Sequence, residues 1–356
     1  MLGENKGSEL FRLLRTRIGS MPDGAEFPSV RRLMEEYGVS QATVTAGVRK
    51  LRELGLIESF VGRGTFVRRS TAETPPKILL LANDWPSRSI AEMIELLRDE
   101  SLRRGMRFEL RHFCFKEDIC SKLNDFKADA IVIDGLSNDF LSLEQITRIH
   151  RCCVPVVISR SIVRVEDICY VCGNNSESGV VAANHLYQSG HRKLGVLFSE
   201  PHLFSVNELV KGFILSARTN LCRVELFDCQ TVAGEDASEN AYRYILEHFQ
   251  NGIPDISALF VVSDGSAFGV LKALHELGIR VPEDLSVLGF GNSFGEEYAL
   301  TSVFTPRSEM ACDILDIIED RLRHRMELPG HVEVSPVVVE RKSVKKLTSQ
   351  PKEVAI

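Results

Sequence analysis

Between Ile78 and Phe290 the sequence keeps returning to one motif, a short run of apolar residues of strand length closed by turn-forming residues. The runs are Ile78 to Ala82, Ala130 to Ile133, Val154 to Ile158, Leu194 to Phe198, Ala258 to Val262 and Leu285 to Phe290. Segments of helical period alternate with most of them, among them Ile90 to Arg104, Val180 to Gln188, Glu239 to Phe249 and Phe268 to Leu277. A strand that is apolar at every position has no face for water, and helices between such strands supply the cover on both sides, so the pattern predicts an α/β fold with parallel sheets. Ligands of such sheets sit beyond the carboxyl ends of the strands. Attention therefore falls on Asn83 to Ser89, Asp134 to Asn138, Ser159-Arg160, Ser199 to Ser205, Ser263-Asp264 and Gly291-Asn292-Ser293, loops rich in hydrogen-bonding side chains.

A chain of 356 residues exceeds one ordinary core and suits a small domain beside a large or bilobed one. No apolar run approaches the roughly 20 residues of a membrane helix, and Met1 to Gly19 mixes leucines with Arg12, Arg15 and Arg17, unlike a signal peptide. The reading is of a cytoplasmic protein without a membrane partner, whose nine scattered cysteines are buried thiols. Charge is unevenly spread. The net −6 divides into 12 Lys and Arg against 8 Asp and Glu in residues 1–70, and 31 against 41 in the remainder. A basic module ahead of an acidic body is expected when one end alone meets phosphate.

Within that basic module, Leu10, Leu13, Leu14 and Ile18 give a first helix over Ser8 to Ile18, ended by the turn Pro22-Asp23-Gly24. Pro28-Ser29 opens a second helix with the stripe Val30, Leu33, Met34 and Tyr37, stopped by Gly38. Ser40 then caps a third, which turns Val44, Val48, Leu51 and Leu54 inward as far as Gly55. Two short helices on a tight turn predict a helix-turn-helix, whose second helix shows Gln41, Thr43, Thr45 and Arg49 outward to a major groove. Leu56 to Val67 reads as a hairpin with a glycine-rich tip, Gly62-Arg63-Gly64, where bare backbone can approach a phosphate and Arg63 adds charge. The expected DNA-binding residues are Ser29, Arg31, Ser40, Gln41, Thr43, Thr45, Arg49, Gly62 and Arg63.

Four ordered stretches, Phe27 to Leu33, Gly38 to Val44, Leu51 to Ile57 and Gly62 to Val67, resemble the GntR family of winged helix-turn-helix regulators. That resemblance implies DNA contact from Arg31, Ser40, Gln41, Thr43, Gly62 and Arg63. The family usually has arginine where this chain has Thr45, so a methyl or weaker phosphate contact replaces a guanidinium there. Arg68 to Pro76 lacks periodicity and ends in a proline pair, which marks a linker without the signal for a minor-groove hinge helix.

Beyond the linker, Val171 to Asn175, Ala182 to Leu186, Gly190 to Leu197, Lys211 to Phe213, Ser263 to Gly269 and Gly278 to Phe290 resemble the sensor core of the LacI family, itself similar to periplasmic sugar-binding proteins. The resemblance implies two Rossmann-like lobes of the type I periplasmic-binding-protein-like kind, three crossing strands as a hinge, a ligand in the cleft and a homodimer through this domain. A GntR-like head before a LacI-like body is the order of parts of the arabinose-repressor type. Expected boundaries are 1–69 for the winged head, 70–76 for the linker, 77–344 for the effector-binding and dimerisation domain and 345–356 for a tail. Two departures touch the site. Where sugar-binding members place arginine before a Gly-Phe pair this chain has Leu209, and where they place aspartate after the late Gly-Phe it has Gly291; both are forks that grip vicinal hydroxyls. The effector candidates are Ser89, Arg160, Asn174, Ser205, Asp264 and Asn292, with helix capping by Asp264 and a hinge role for Asn174 as the competing structural roles.

Other motifs carry no chemistry. Cys169 and Cys172 have the spacing of a metal or redox pair, but no second pair follows and a strand would turn the two thiols to opposite faces. His185 and His191 read as structural, and Arg341, Lys342, Lys345 and Lys346 as a solvated charge run. With no nucleophile elbow, phosphate loop, metal site or cofactor motif, the chain is not read as an enzyme. The function expected is a DNA-binding transcription regulator, a repressor controlled by a carbohydrate-like effector and acting on a pseudo-palindromic operator in double-stranded DNA. Two alternatives stand beside it: a DNA-binding regulator with a degenerate sensor, and a ligand-binding or enzymatic protein with a vestigial head.

Overall fold

The computed structural model describes residues 4–22, 24–60, 64–68, 75–84, 87–114, 116–136, 141–163, 165, 167–294, 299–323 and 328–347. The head begins with α1 (Glu4–Ser20), longer at both ends than the sequence predicts, and β1 (Glu26–Phe27). Next come α2 (Val30–Tyr37) and α3 (Gln41–Glu53). Ser29 and Ser40 cap these two as expected, each accepting from the backbone N–H three residues on. Gly38 ends α2 with φ of 62°, a left-handed value that costs glycine nothing. A hairpin of β2 (Ile57–Phe60) and β3 (Gly64–Val67) follows, with β1 pairing the far side of β3. Leu10, Leu14, Leu33, Val44, Leu51 and Ile57 form the core of the head. Leu54 is not part of it: as the residue ending α3 it stays 38% exposed.

The body is two parallel sheets, each of six strands. The first lobe contains β4 (Lys77–Asn83), α4 (Arg88–Arg103), β5 (Arg107–Phe113), a short 3₁₀ turn, β6 (Ala130–Asp134), α5 (Leu143–His150), β7 (Val156–Ser159) and β8 (Cys169–Gly173). The second contains α6 (Asn175–Gln188), β9 (Lys193–Phe198), α7 (Phe204–Thr219), β10 (Arg223–Asp228), α8 (Ala237–Phe249), β11 (Ala258–Val261), α9 (Asp264–Glu276), β12 (Ser286–Phe290) and β13 (Thr301–Phe304). The chain then returns to the first lobe for α10 (Arg307–Leu322) and β14 (His331–Val334), and crosses back for β15 (Val337–Val339). Strand order is β14-β8-β7-β6-β4-β5 in one lobe and β10-β9-β11-β12-β13-β15 in the other, with β15 alone antiparallel. Each sheet is buried on both faces. Ile78, Leu80 and Val132 pack under α4 and α10, whereas Leu79, Ile131 and Ile133 face α5. Cys169 and Cys172 likewise pack against opposite faces of their sheet, and burial pushes the Cys172 thiol up to about 12.

Chain crossings between the lobes fall at Gly173-Asn174, Thr305-Pro306 and Ser335-Pro336. They pack tightly. A Cβ at Gly173 would strike the Thr305 hydroxyl, and the Asn174 N–H donates to the Val334 carbonyl at 3.2 Å. In the second lobe α6 and α7 touch backbone to backbone, since a Cβ at Gly212 would collide with the Ser176 carbonyl.

The segment after β15 differs from the solvated run expected of it. The Arg341 guanidinium donates to the Leu300 carbonyl at 2.7 Å and to Asn292 Oδ1 at 2.8 Å. Ser343 is buried against Val287 and Thr301, and the Leu347 N–H donates to Ser189. His191 is structural, as expected, buried between Ser257 and the Lys345 carbonyl.

Candidate functional site

On the head, the side chains expected from the sequence to read bases face outward. Gln41, Thr45 and Arg49 are exposed along one side of α3, and Thr43 is half-buried beside them. Ser40 is engaged in capping, its hydroxyl 2.8 Å from Thr43 Oγ1 and accepting from the Thr43 N–H at 3.3 Å. Ser29 does the same for α2. Arg31 and Arg49 are solvated, each near a glutamate one turn on, Glu35 at 3.1 Å and Glu53 at 3.7 Å. Such exposed pairs are weak and can exchange a carboxylate for a phosphate at little cost. Gly62 and Arg63, at the hairpin tip, lie outside the described residues.

In the body, carboxyl ends of the two sheets bring polar side chains to the inter-lobe side. In the first lobe Arg160 stands directly after β7 with φ of 63°, an orientation non-glycine residues seldom adopt. Its Nε donates to Asp134 Oδ1 at 2.7 Å and its Nη1 to the Ser89 hydroxyl at 3.3 Å, so Ser89 and Arg160, far apart in sequence, come together. Asp134 is fully buried at the end of β6, and its second oxygen has no partner. The buried hydroxyls of Ser159, at the end of β7, and Ser199, just past β9, are unpartnered too. Buried polar atoms are ordinarily paired, so three orphans at strand ends mark places where a bound molecule can complete the hydrogen bonding. None of these three was singled out as a candidate from the sequence. The available signal was a polar residue ending an unbroken apolar run.

The second lobe treats its candidates differently. Asp264 is buried, and its carboxylate accepts from the Ser302 hydroxyl at 2.9 Å and the Ser293 N–H at 2.8 Å. Burial pushes its carboxyl above the ordinary range, against these hydrogen bonds and the more distant Arg341 and Arg307. Ser263, not Asp264, occupies the cap position of α9. Asn292, at φ of 47°, accepts from Arg341 at its Oδ1 and donates its N–H to the Ser302 hydroxyl. Asp264 and Asn292 thus belong to one network, through Ser302, Ser293 and Arg341, in which their own side-chain oxygens are paired. Asn174 caps α6, accepting from the Glu177 N–H at 2.9 Å. Ser205 lies half-buried in the first turn of α7, and Leu209, on the same helix, is buried in the apolar core. Glu200, missed from the sequence, bonds the Ser266 hydroxyl at 3.3 Å; burial raises its carboxyl, with Ser263 and Ser266 opposing.

A winged helix-turn-helix ahead of two parallel-sheet lobes joined by crossings defines a two-part chain: a nucleic-acid-type head on a periplasmic-binding-protein-like body. Residues 7–67 match the family model of bacterial regulatory proteins of the gntR family, and residues 183–344 that of the periplasmic binding protein-like domain. Over 178 residues the chain is 31% identical to the HTH-type transcriptional repressor PurR of Escherichia fergusonii, covering 49% of this chain and 51% of that protein. The same repressor from Escherichia coli is 30% identical with the same coverage. The chain spans about half the length of these curated relatives. Among solved structures, the Escherichia coli transcriptional repressor ascG aligns with TM-score 0.63 at 21% identity, covering 76% of this chain and 99% of that one. A LacI family regulator from Enterococcus faecium with bound ribose aligns at 0.63 and 18%, again over 76% and 99%. These structures bear out the two-lobed fold. No helix among the described residues is long and apolar enough to cross a membrane.

Proposed function

We propose that the protein is a transcription regulator that binds double-stranded DNA through its winged head and is controlled by a small carbohydrate-like effector held between the lobes. One observation carries this reading: the outward row Gln41, Thr45 and Arg49 on a capped, rigid α3, in the same chain as a two-lobed body with unpaired polar atoms at its strand ends. In the reading, Gln41 and Thr45 touch base edges, Arg31, Arg49 and Arg63 meet phosphates, and the N–H groups opening α2 and α3, with Ser29, Ser40, Thr43 and the Gly62 backbone, fix the register. Ser89, Arg160, Asn174 and Ser205 serve the effector, and Asp264 and Asn292 shape the wall behind it. The body pairs two copies, so that two heads meet the half-sites of a pseudo-palindrome, and an occupied cleft changes their spacing. Repression is the sense supported by the named relatives. The protein acts in the cytoplasm and is not an enzyme.

Gel shifts of the full chain on its neighbouring promoter fragments test this. A specific complex that weakens steeply between 50 and 200 mM salt, in the manner of proteins neutralising several phosphates, is the expected result. Adding ribose, glucose and other sugars, sugar acids and sugar phosphates to that complex tests the sensor. A change in DNA affinity with one of them supports it, and a flat response throughout favours the second reading, a regulator whose cleft is degenerate. Leu209 and Gly291 are what motivates that second reading.

A further inference from the structure

Apart from the three crossings, the lobes also meet along one face of α4. Arg88 and Glu92 lie one turn apart on this first-lobe helix. The Arg88 guanidinium stands 5.3 Å from the ring centroid of Phe294, a second-lobe residue in the segment that follows β12. The Glu92 carboxylate accepts from Arg307 Nε at 2.8 Å and lies 2.6 Å from its Nη2, which donates to the Gly291 carbonyl at 2.8 Å. Arg307 itself opens α10 of the first lobe, so its guanidinium, held by Glu92, reaches across to the second-lobe segment at Gly291, and the Arg88–Phe294 cation–π contact makes a second junction one turn away on α4.

Arg307 is 8% exposed, and separating the lobes along this face would leave it with Glu92 but break its bond to the Gly291 carbonyl, stranding a buried acceptor and a guanidinium N–H. The 291–294 segment cannot absorb that movement locally. Its Gly291 N–H is held by Val303, its Asn292 N–H by Ser302 and its Ser293 N–H by Asp264, while the Asn292 side chain is held by Arg341. A segment so fixed to its own lobe transmits what α4 does to it.

We propose that Arg88 and Glu92 on α4, Arg307 and the 291–294 segment form an inter-lobe latch that sets the angle between the lobes. Arg307 is its positioning residue. The latch needs neither DNA nor effector, so its test stands apart from that of the regulatory function.

Small-angle scattering and amide exchange on the unliganded full chain carry the test, with Glu92→Gln and Arg88→Ala as variants, both at exposed or partly exposed positions that should fold normally. The expected result is a larger radius of gyration in each variant and faster exchange of the Asn292 and Ser293 amides, by roughly threefold to tenfold, with an unchanged denaturant midpoint. The double variant should exceed either single one. Unchanged scattering and exchange in the double variant would overturn the latch, as would faster exchange spread evenly over both lobes.

Discussion

The Arg160 cluster of the first lobe and the Asp264 cluster of the second use their polar side chains in different ways. At the first lobe's strand ends, Arg160 ties Asp134 to Ser89 but leaves Asp134 Oδ2 and the Ser159 hydroxyl buried and unpaired. In the second lobe the Asp264 carboxylate, the Asn292 and Ser293 N–H groups, Asn292 Oδ1 and the Ser302 hydroxyl are all paired, while Arg341 Nε and, past β9, the Ser199 hydroxyl stay buried without a partner. Interactions completed within the protein stabilise the fold, whereas those left open cost stability and are available to a ligand. The comparison teaches that a polar residue in a strand-end loop is not by itself a ligand contact: what matters is whether its hydrogen bonds are already spent.

Substitutions in the two clusters should therefore separate stability from binding. The largest stability effect is expected from Asp264→Ala, which orphans the Ser293 N–H and the Ser302 hydroxyl together; a loss of roughly 2–4 kcal/mol in denaturant unfolding is predicted. A loss below about 0.5 kcal/mol would show that the second-lobe network does not hold that cluster together. Next is Gly212→Ala, which forces a Cβ against the Ser176 carbonyl and should cost about 1–3 kcal/mol through overpacking of α6 on α7. In the other cluster, Ser159→Ala should leave unfolding within about 1 kcal/mol of wild type or raise it slightly, since it deletes an orphan hydroxyl. Isothermal titration with whichever sugar acts on the DNA complex should show the same variant weakened several-fold. If Ser159→Ala destabilises as much as Asp264→Ala, the two clusters are not different in kind.

The smallest expected effect concerns pH. Burial raises the Glu200 carboxyl in the folded chain, ahead of the opposing hydroxyls of Ser263 and Ser266. Below the ordinary carboxylate range the group is neutral whether the chain is folded or not, and stability is untouched. As pH rises through the raised folded-state value, folding must bury an ionised carboxylate and stability declines. Glu200→Gln should therefore melt about 2 °C higher than wild type at pH 8, with the gap closing by about pH 4. An equal gap at both pH values would assign the gain to packing instead.

Much of this was legible in the residues. Fully apolar runs announced β4, β6, β7, β9, β11 and β12, though not the interior strands β8 and β13, and Ser29, Gly38 and Ser40 announced the ends of the head helices, because burial and capping leave local marks. The edge strands β5 and β10 left none: Arg107, Glu109 and Arg111 in one and Arg223 and Glu225 in the other break the apolar run, as a strand at a sheet edge allows. Among site residues, Ser89 and Arg160 were found from their loops and do come together. Asp134, Ser159, Ser199 and Glu200 lay in the same flagged loops but were not singled out as candidates, since whether a buried polar atom lacks a partner depends on residues distant in sequence. Asn292 illustrates the same limit from the other side, because its partner Arg341 lies in the segment after β15, 49 residues on in sequence.

The central claim, that a rigid α3 reads base edges on behalf of the body, is tested most directly by selecting bound duplexes from a random DNA pool with the full-length protein and with Gln41→Ala. The account predicts a two-fold-related motif with half-sites spaced by about 10 base pairs or a multiple of that, and a changed base preference within each half-site for the variant. Enrichment of no motif by the wild-type chain, or of one identical motif by both, would contradict it.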